Sequence, residues 1–278
     1  MQGIYITAAI TTALALSIIG GAIWKKTPKK YRALLLIALL AELPMSASAF
    51  YFVRIPLNRF LVGWLGETSQ LYIYLTTLYA PVTEELAKIW PIIIPAFYRR
   101  INARNAVCVA MALGLGFGIG EIWFLAERLS RVPDIARLPW YQLGGFISER
   151  FMVCVMHGVF TAVAIKNLRH RFWLGLLGAM ALHFLGNLPL FIPAQGFVGW
   201  HRVTWQYMLS FWVTIYFLLM LTLLVFLMTG KVQVGRVLLG RVVCPECHVR
   251  YNRPLVGINM GAVRYERCSH CRKWHWVR

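Results

Sequence analysis

Acidic residues are scarce in this chain: ten Asp and Glu stand against 29 Lys and Arg in 278 residues. One of the ten is an aspartate, Asp134, lying between apolar runs, so an aspartate pair for acid–base proteolysis has no second member. There is no His-Glu-x-x-His for the usual helical zinc protease, and no Gly-x-Ser-Gly beside a helix-borne histidine for a serine nucleophile. No basic residue precedes the first apolar run, which is also too long for the core of a cleavable signal. No inverted repeat is visible, which weighs against a transporter built from two related halves. What is left is carboxylate chemistry.

Apolar residues, by contrast, make up 59% of the chain, with a mean hydropathy of +0.61. Seven runs reach the ~20 residues that cross a bilayer as a helix, at about 3–24, 33–53, 70–98, 106–126, 150–168, 172–192 and 207–229. The third contains Pro81, Pro91 and Pro95 and is expected to be kinked or broken. The fold class expected is therefore an all-α polytopic membrane protein with about seven transmembrane helices (residues 1–232), followed by a small zinc-ribbon-like module (residues 233–278). Lys25, Lys26, Lys29, Lys30 and Arg32, then Arg99, Arg100 and Arg104, then Lys166, Arg169 and Arg171, and finally the basic tail, all fall on one side. Arg54 and Arg59, then Arg128, Arg131, Arg137 and Arg150, then Arg202 mark the sparser loops. The positive-inside rule places the N-terminus outside and the tail in the cytoplasm of a plasma (inner) membrane. The same rule, with contact to anionic lipid, accounts for most of the net charge of +19, so nucleic acid is not an expected partner. Trp24, Trp123, Trp140 and Tyr141 read as interface anchors.

Within the third run stands Thr83-Glu84-Glu85-Leu86-Ala87-Lys88. An uncompensated charge at the bilayer centre costs roughly 2.5–3.5 kcal/mol even on the lenient insertion scale, so three together persist where they pair or do chemistry. Glu84 and Lys88 are one helical turn apart, and Glu85 reaches Lys88 by the i,i+3 relation. One carboxylate can then be held by the lysine while the other points elsewhere. The fourth run brings Glu121 behind Gly114, Gly116, Gly118 and Gly120, expected to bare one side of its helix for a close neighbour. The fifth brings His157, and the sixth His183 and Asn187, a turn apart on one face. Taken singly, each has a plain structural use: an ion-pair cluster, a buried histidine on a backbone partner, an inter-helix amide. Glu42, beside Pro44, reads as structural or pore-facing.

The tail carries Cys244-Pro245-Glu246-Cys247 and, after a twenty-residue gap, Cys268-Ser269-His270-Cys271. Two such pairs supply four thiolates to one tetrahedral zinc and leave no open position for catalysis. His248, His270 and His275 read as surface residues, and Cys108 and Cys154 as buried free thiols. Its basic surface, ending in Trp274 and Trp276, suggests docking of a cytoplasmic protein partner or substrate.

Glu84-Glu85-x-x-Lys88, Phe117-x-x-x-Glu121, the arginine-led segment Arg150 to His157 and His183-x-x-x-Asn187, in this order, resemble the PrsW-type intramembrane glutamic proteases. These are related to the CAAX prenyl endopeptidases and bacteriocin-processing proteins. The resemblance covers residues 70–190; the CAAX enzymes more often carry an arginine after the glutamate pair and a histidine where Glu121 stands. It implies hydrolysis of a peptide bond in a membrane-anchored protein, anti-sigma factors among the substrates of the PrsW branch, with no catalytic metal. Glu84 is the implied base, sharing a water with Glu121 or His157. Glu85 and Lys88 hold its helix, and His183 and Asn187 face the oxyanion. Two other readings stay open on the residues alone: zinc held in the membrane by Glu84, Glu121, His157 and His183, and a non-catalytic sensor or transporter relaying protons or binding a cation.

Overall fold

The computed structural model describes residues 2–166, 168–194, 202–229, 241–254, 257–260 and 263–277. It is mostly helical. The helices are α1 (Gly3–Ala15), α2 (Gly21–Lys26), α3 (Arg32–Glu42), α4 (Met45–Ser48), α5 (Ile55–Leu65), α6 (Gln70–Lys88), α7 (Pro95–Tyr98), α8 (Ala106–Ser130), α9 (Pro133–Ala136), α10 (Gly144–Lys166), α11 (Phe172–Ala194) and α12 (Arg202–Thr229). Among the described residues, six helical stretches are long and apolar enough to cross a membrane: Gly3–Lys26, Lys29–Leu65, Ala106–Ser130, Trp140–Lys166, Phe172–Pro189 and Tyr207–Thr229. Large apolar side chains such as Phe52, Trp173 and Phe211 point outward from them. That is the arrangement of a membrane protein, in which lipid takes the place of a core partner.

The expected third span is not among the six. α6 carries Glu84, Glu85 and Lys88 and stops at Lys88; a 3₁₀ turn, Trp90–Ile93, and the one-turn helix α7 follow. Pro91 and Pro95 lack the N–H groups a continuing helix would use, so the break falls where the prolines stand. The second span is longer than its apolar run suggested. α3, α4, a π-helical turn (Ala49–Arg54) and α5 follow one another without a loop, placing Arg54 and Arg59 on helix rather than in an external connection. Arg150 likewise lies inside α10.

Two compact units divide the chain, Met1–Leu221 and Thr222–Arg278. The division falls within α12; the boundary expected at 232/233 lies outside the described residues. In the first unit α8 is the central helix, with most of its length buried. In the second, β1 (Arg241–Val243) pairs with β2 (Arg250–Asn252), and β4 (Val263–Arg267) lies between β3 (Gly257–Met260) and β5 (Trp274–Val277), all antiparallel.

Candidate functional site

The glycines of α8 set the distances on which the membrane site depends. A Cβ on Gly114 would lie 2.3 Å from the backbone nitrogen of Gly158, and one on Gly118 3.0 Å from the Cα of Cys154, both on α10. On Gly116 and Gly120 it would lie 2.2 Å from the Leu39 carbonyl oxygen and 2.0 Å from that of Leu43. The stripe thus serves two sides of α8, not the single side expected, because residues two apart on a helix are about 200° round the axis. α10 is drawn in at backbone contact, carrying His157 against Phe117 and Glu121.

Arg54 ends the π-helical turn, an irregularity that re-aims the side chains around it. Its Nε donates to Thr83 Oγ1 at 3.1 Å and its Nη2 to the Ala80 carbonyl at 3.0 Å, and the same nitrogen pairs with Glu84 Oε1. Lys88 therefore takes Glu85 rather than Glu84. Fully buried over the rings of Phe117 and Phe160, it also donates to His157 Nδ1 at 2.9 Å. An ammonium has no lone pair, so His157 accepts at Nδ1 and keeps its proton on Nε2, which donates to Glu121 Oε2 at 3.1 Å. Glu121 Oε1 lies 3.4 Å from Arg150 Nη1. On the other side of Glu85, His183 donates from Nδ1 at 2.7 Å.

This chain of partners has a charge logic. Three cations, Arg54, Lys88 and Arg150, meet Glu84, Glu85 and Glu121, and Arg150 also pairs with the more exposed Glu149, so each of these carboxylates has a cation beside it. Breaking any buried pair would leave an uncompensated ion at a cost of about 3–5 kcal/mol. One point is left unsatisfied. Glu84 Oε2 is buried without a hydrogen-bond partner, and His183 Nε2 faces it at 3.6 Å. With His183 neutral and its proton on Nδ1, these two atoms are both acceptors, and a bridging donor or cation would satisfy them.

That gap opens on a cavity of about 500 Å³ lined by Glu84, Glu121, Arg150, His157, His183 and Asn187, with Met156, Phe160 and Val213 as apolar wall. α12 closes one side, held to α11 by the buried Tyr216, whose hydroxyl donates to the Leu182 carbonyl. Of the residues expected at the site, Glu84, Glu121, His157, His183 and Asn187 line this cavity, while Glu85 and Lys88 stand behind it as partners. Arg54 is the participant that sequence reading missed. The signal was the apolar stretch Ile55–Leu65, which continues the helix past the arginine. Glu42 is fully buried, with neither carboxylate oxygen hydrogen-bonded.

Comparison with known protein families, characterised proteins and solved structures returned no match. The chemistry of both sites therefore rests on the residues themselves. Glu84, His157 and His183 can bring one donor atom each within 4.8 Å of one another. Their surroundings differ. A metal-binding histidine usually donates its second N–H to an acceptor, which His183 does to Glu85. His157 instead presents its second nitrogen to the Lys88 ammonium, so a metal on Nε2 would turn an Nδ1 proton toward a cation.

The second unit gathers Cys244, Cys247, Cys268 and Cys271 with all four sulfurs within 4.8 Å. This four-thiol cluster is compatible with a bound metal such as zinc. The separations Cys244–Cys271, 3.6 Å, and Cys247–Cys268, 3.9 Å, bracket the ~3.8 Å edge of a tetrahedron with metal–sulfur bonds of about 2.3 Å. The cluster is built from two copies of one turn. Cys244 N–H donates to Val249 O and His248 N–H to Cys244 O; Cys268 N–H donates to Lys273 O and Arg272 N–H to Cys268 O. His248 and Arg272, each just after the second cysteine of its pair, have positive φ of 54° and 58°. Desolvation raises the Cys244 thiol, but hydrogen bonds from the backbone of Cys247 and Glu246 outweigh it and bring it down to about 7. Cys271, despite a lowering hydrogen bond from the Lys273 backbone, is pushed up to about 11 by desolvation and its neighbouring thiols. Four thiols this close do not ionise together without a cation among them. His275 is not a surface residue as expected: strand alternation turns it inward, where Nε2 meets the Tyr251 hydroxyl at 2.9 Å. Cys108 and Cys154 are free and buried.

Proposed function

We propose that the chain is an intramembrane endopeptidase that hydrolyses a peptide bond of a membrane-anchored protein with a glutamate-activated water. The observation that carries this reading is the buried, unpartnered Glu84 Oε2, which faces His183 Nε2 at 3.6 Å at the edge of a polar cavity inside apolar helices. With His183 neutral, a water on the cavity side of this pair can donate one hydrogen to each. Glu84 takes a proton as the oxygen attacks the peptide carbonyl, then passes it to the departing amine as the tetrahedral intermediate collapses. Its pairing with Arg54 leaves one oxygen for this task and fixes the direction of the other. His183, an acceptor at Nε2, shares the water rather than donating to the oxyanion. The donor available to the oxyanion is the Asn187 amide, which lines the same cavity, the His157 Nε2 proton being given to Glu121. Lys88 and Glu85 hold the two histidines in their tautomers.

Glu84→Gln tests this directly in reconstituted membranes with a tethered peptide reporter. An amide keeps the size and the contact with Arg54 but cannot take the proton, so cleavage should fall by about 10³-fold with the protein still folded and inserted. Full activity would end the glutamate reading. In the second unit we propose a structural zinc on the four cysteines, with no position left open for substrate.

The three donors within 4.8 Å favour a second reading, a metal in the membrane site. The count of zinc per intact chain separates the two. One zinc fits the ribbon alone; two, falling to one in His183→Ala, would establish the metal.

A further inference from the structure

We propose that the sheet β3-β4-β5 of the second unit is a membrane-docking face that lies on the anionic leaflet next to the end of α12. This inference is independent of the protease reading. Strand register places Ile258 opposite Tyr265 and Tyr265 opposite Trp276, while Arg267 pairs with Trp274. These five side chains share one face, because the alternate positions Arg264, Glu266, His275 and Val277 turn inward. Tyr265 stacks at 5.4 Å on Trp274 and 5.0 Å from Trp276, and Ile258, Trp274 and Trp276 are each about half exposed or more, at 60%, 47% and 52%. A unit this small gains nothing in solution from three large exposed apolar side chains on one face.

Charge and tether identify the occupant. Residues 241–278 contain eight Lys and Arg against two Glu. Glu266 is buried with Arg264 and the Tyr251 hydroxyl, and Glu246 is paired with Lys273, so the exposed Arg267 and Arg272 border the aromatic face as unneutralised cations. Tyr and Trp rings flanked by arginine suit the headgroup layer, where the ring sits at the acyl boundary and each cation is drawn to an anionic surface. The sequence leaves eleven residues, 230–240, between the apolar helix α12 and β1, a reach of at most about 40 Å. Held that close, the face needs little intrinsic affinity, since the tether supplies a high effective lipid concentration.

The test uses the full zinc-loaded chain in nanodiscs of phosphatidylcholine alone or with phosphatidylglycerol. A nitroxide on Ile258→Cys reports the face, and one on Arg250→Cys the exposed side of the other sheet. The native cysteines do not compete, being buried or among the four clustered thiols. With the anionic lipid, the label at 258 should lose several-fold in collision with a water-soluble nickel chelate and gain with oxygen, while the label at 250 stays unchanged. Trp274→Ala with Trp276→Ala should abolish the shift at 258 while zinc stays at its wild-type content, which shows the ribbon still folded. A label at 258 equally open to water in both lipids overturns the proposal. So does shielding that appears only when a soluble protein or an oligonucleotide is added.

Discussion

The membrane cluster and the cysteine cluster solve opposite problems with the same kinds of group. In the cysteine cluster, two short turns of identical hydrogen bonding each deliver two sulfurs, and every sulfur is directed at one point. In the membrane, Arg54, Glu84, Glu121, His157 and His183 come from five separate helical stretches, and their pairing leaves Glu84 Oε2 unsatisfied. Local repetition gives a closed set of ligands suited to holding a fold together. Assembly across distant helices gives an open set, and an open set is what chemistry requires.

Removing metal should sharpen that contrast most. A structural zinc contributes roughly 10 kcal/mol or more to folding in modules of this size. A strong chelator should therefore make residues 241–277 protease-sensitive while leaving helicity and peptide cleavage by the membrane unit intact. Loss of cleavage with the metal would merge two sites that are here kept apart. Next in size is Lys88→Met, which strips a buried carboxylate of its cation and should cost about 3–5 kcal/mol, read as a lower thermal midpoint in detergent. A midpoint unchanged within error would mean Glu85 is already neutral. Asn187→Ala, at the rim of the cavity, should lower turnover by roughly 10²-fold without weakening substrate binding, the pattern of a lost oxyanion donor. A rise in KM alone would move Asn187 to a binding role. The smallest effect belongs to the cysteine turns. His248→Gly relieves a positive φ that a side chain disfavours, and should raise zinc affinity about two- to fivefold in chelator competition.

The two regions were unequally legible in sequence. Spacing alone gathered the four cysteines, because each pair is contiguous and its turn is local. It also assembled Glu84, Glu121, His157, His183 and Asn187 as candidates for one place, since a charged or amide group in an apolar helix has few other places to go. It did not find which cation meets which carboxylate. Lys88 is equally spaced for Glu84 and Glu85, and the choice is made by Arg54, which arrives from another helix through a π-helical turn that no residue pattern announced. The strand that turns His275 inward was hidden for a related reason: three residues of alternation, Trp-His-Trp, read equally well as an exposed end.

The bare positions of α8 bear on how this site can move. At Gly114 and Gly116 a hydrogen atom is the largest group that fits, and the obstructing atoms are backbone on two different neighbours. A helix flanked in this way has lost two rigid-body freedoms. Turning it by one residue would drive Leu113 or Leu115 into a gap that does not admit a methyl, and sliding it by one turn would exchange Gly120 for Phe124. The distance between Glu121 and His157 is thus fixed by the register of α8 rather than by the strength of their own hydrogen bond. Any change in the width of the cavity therefore has to come from its other walls, of which α12 is joined to α11 by the Tyr216 hydroxyl.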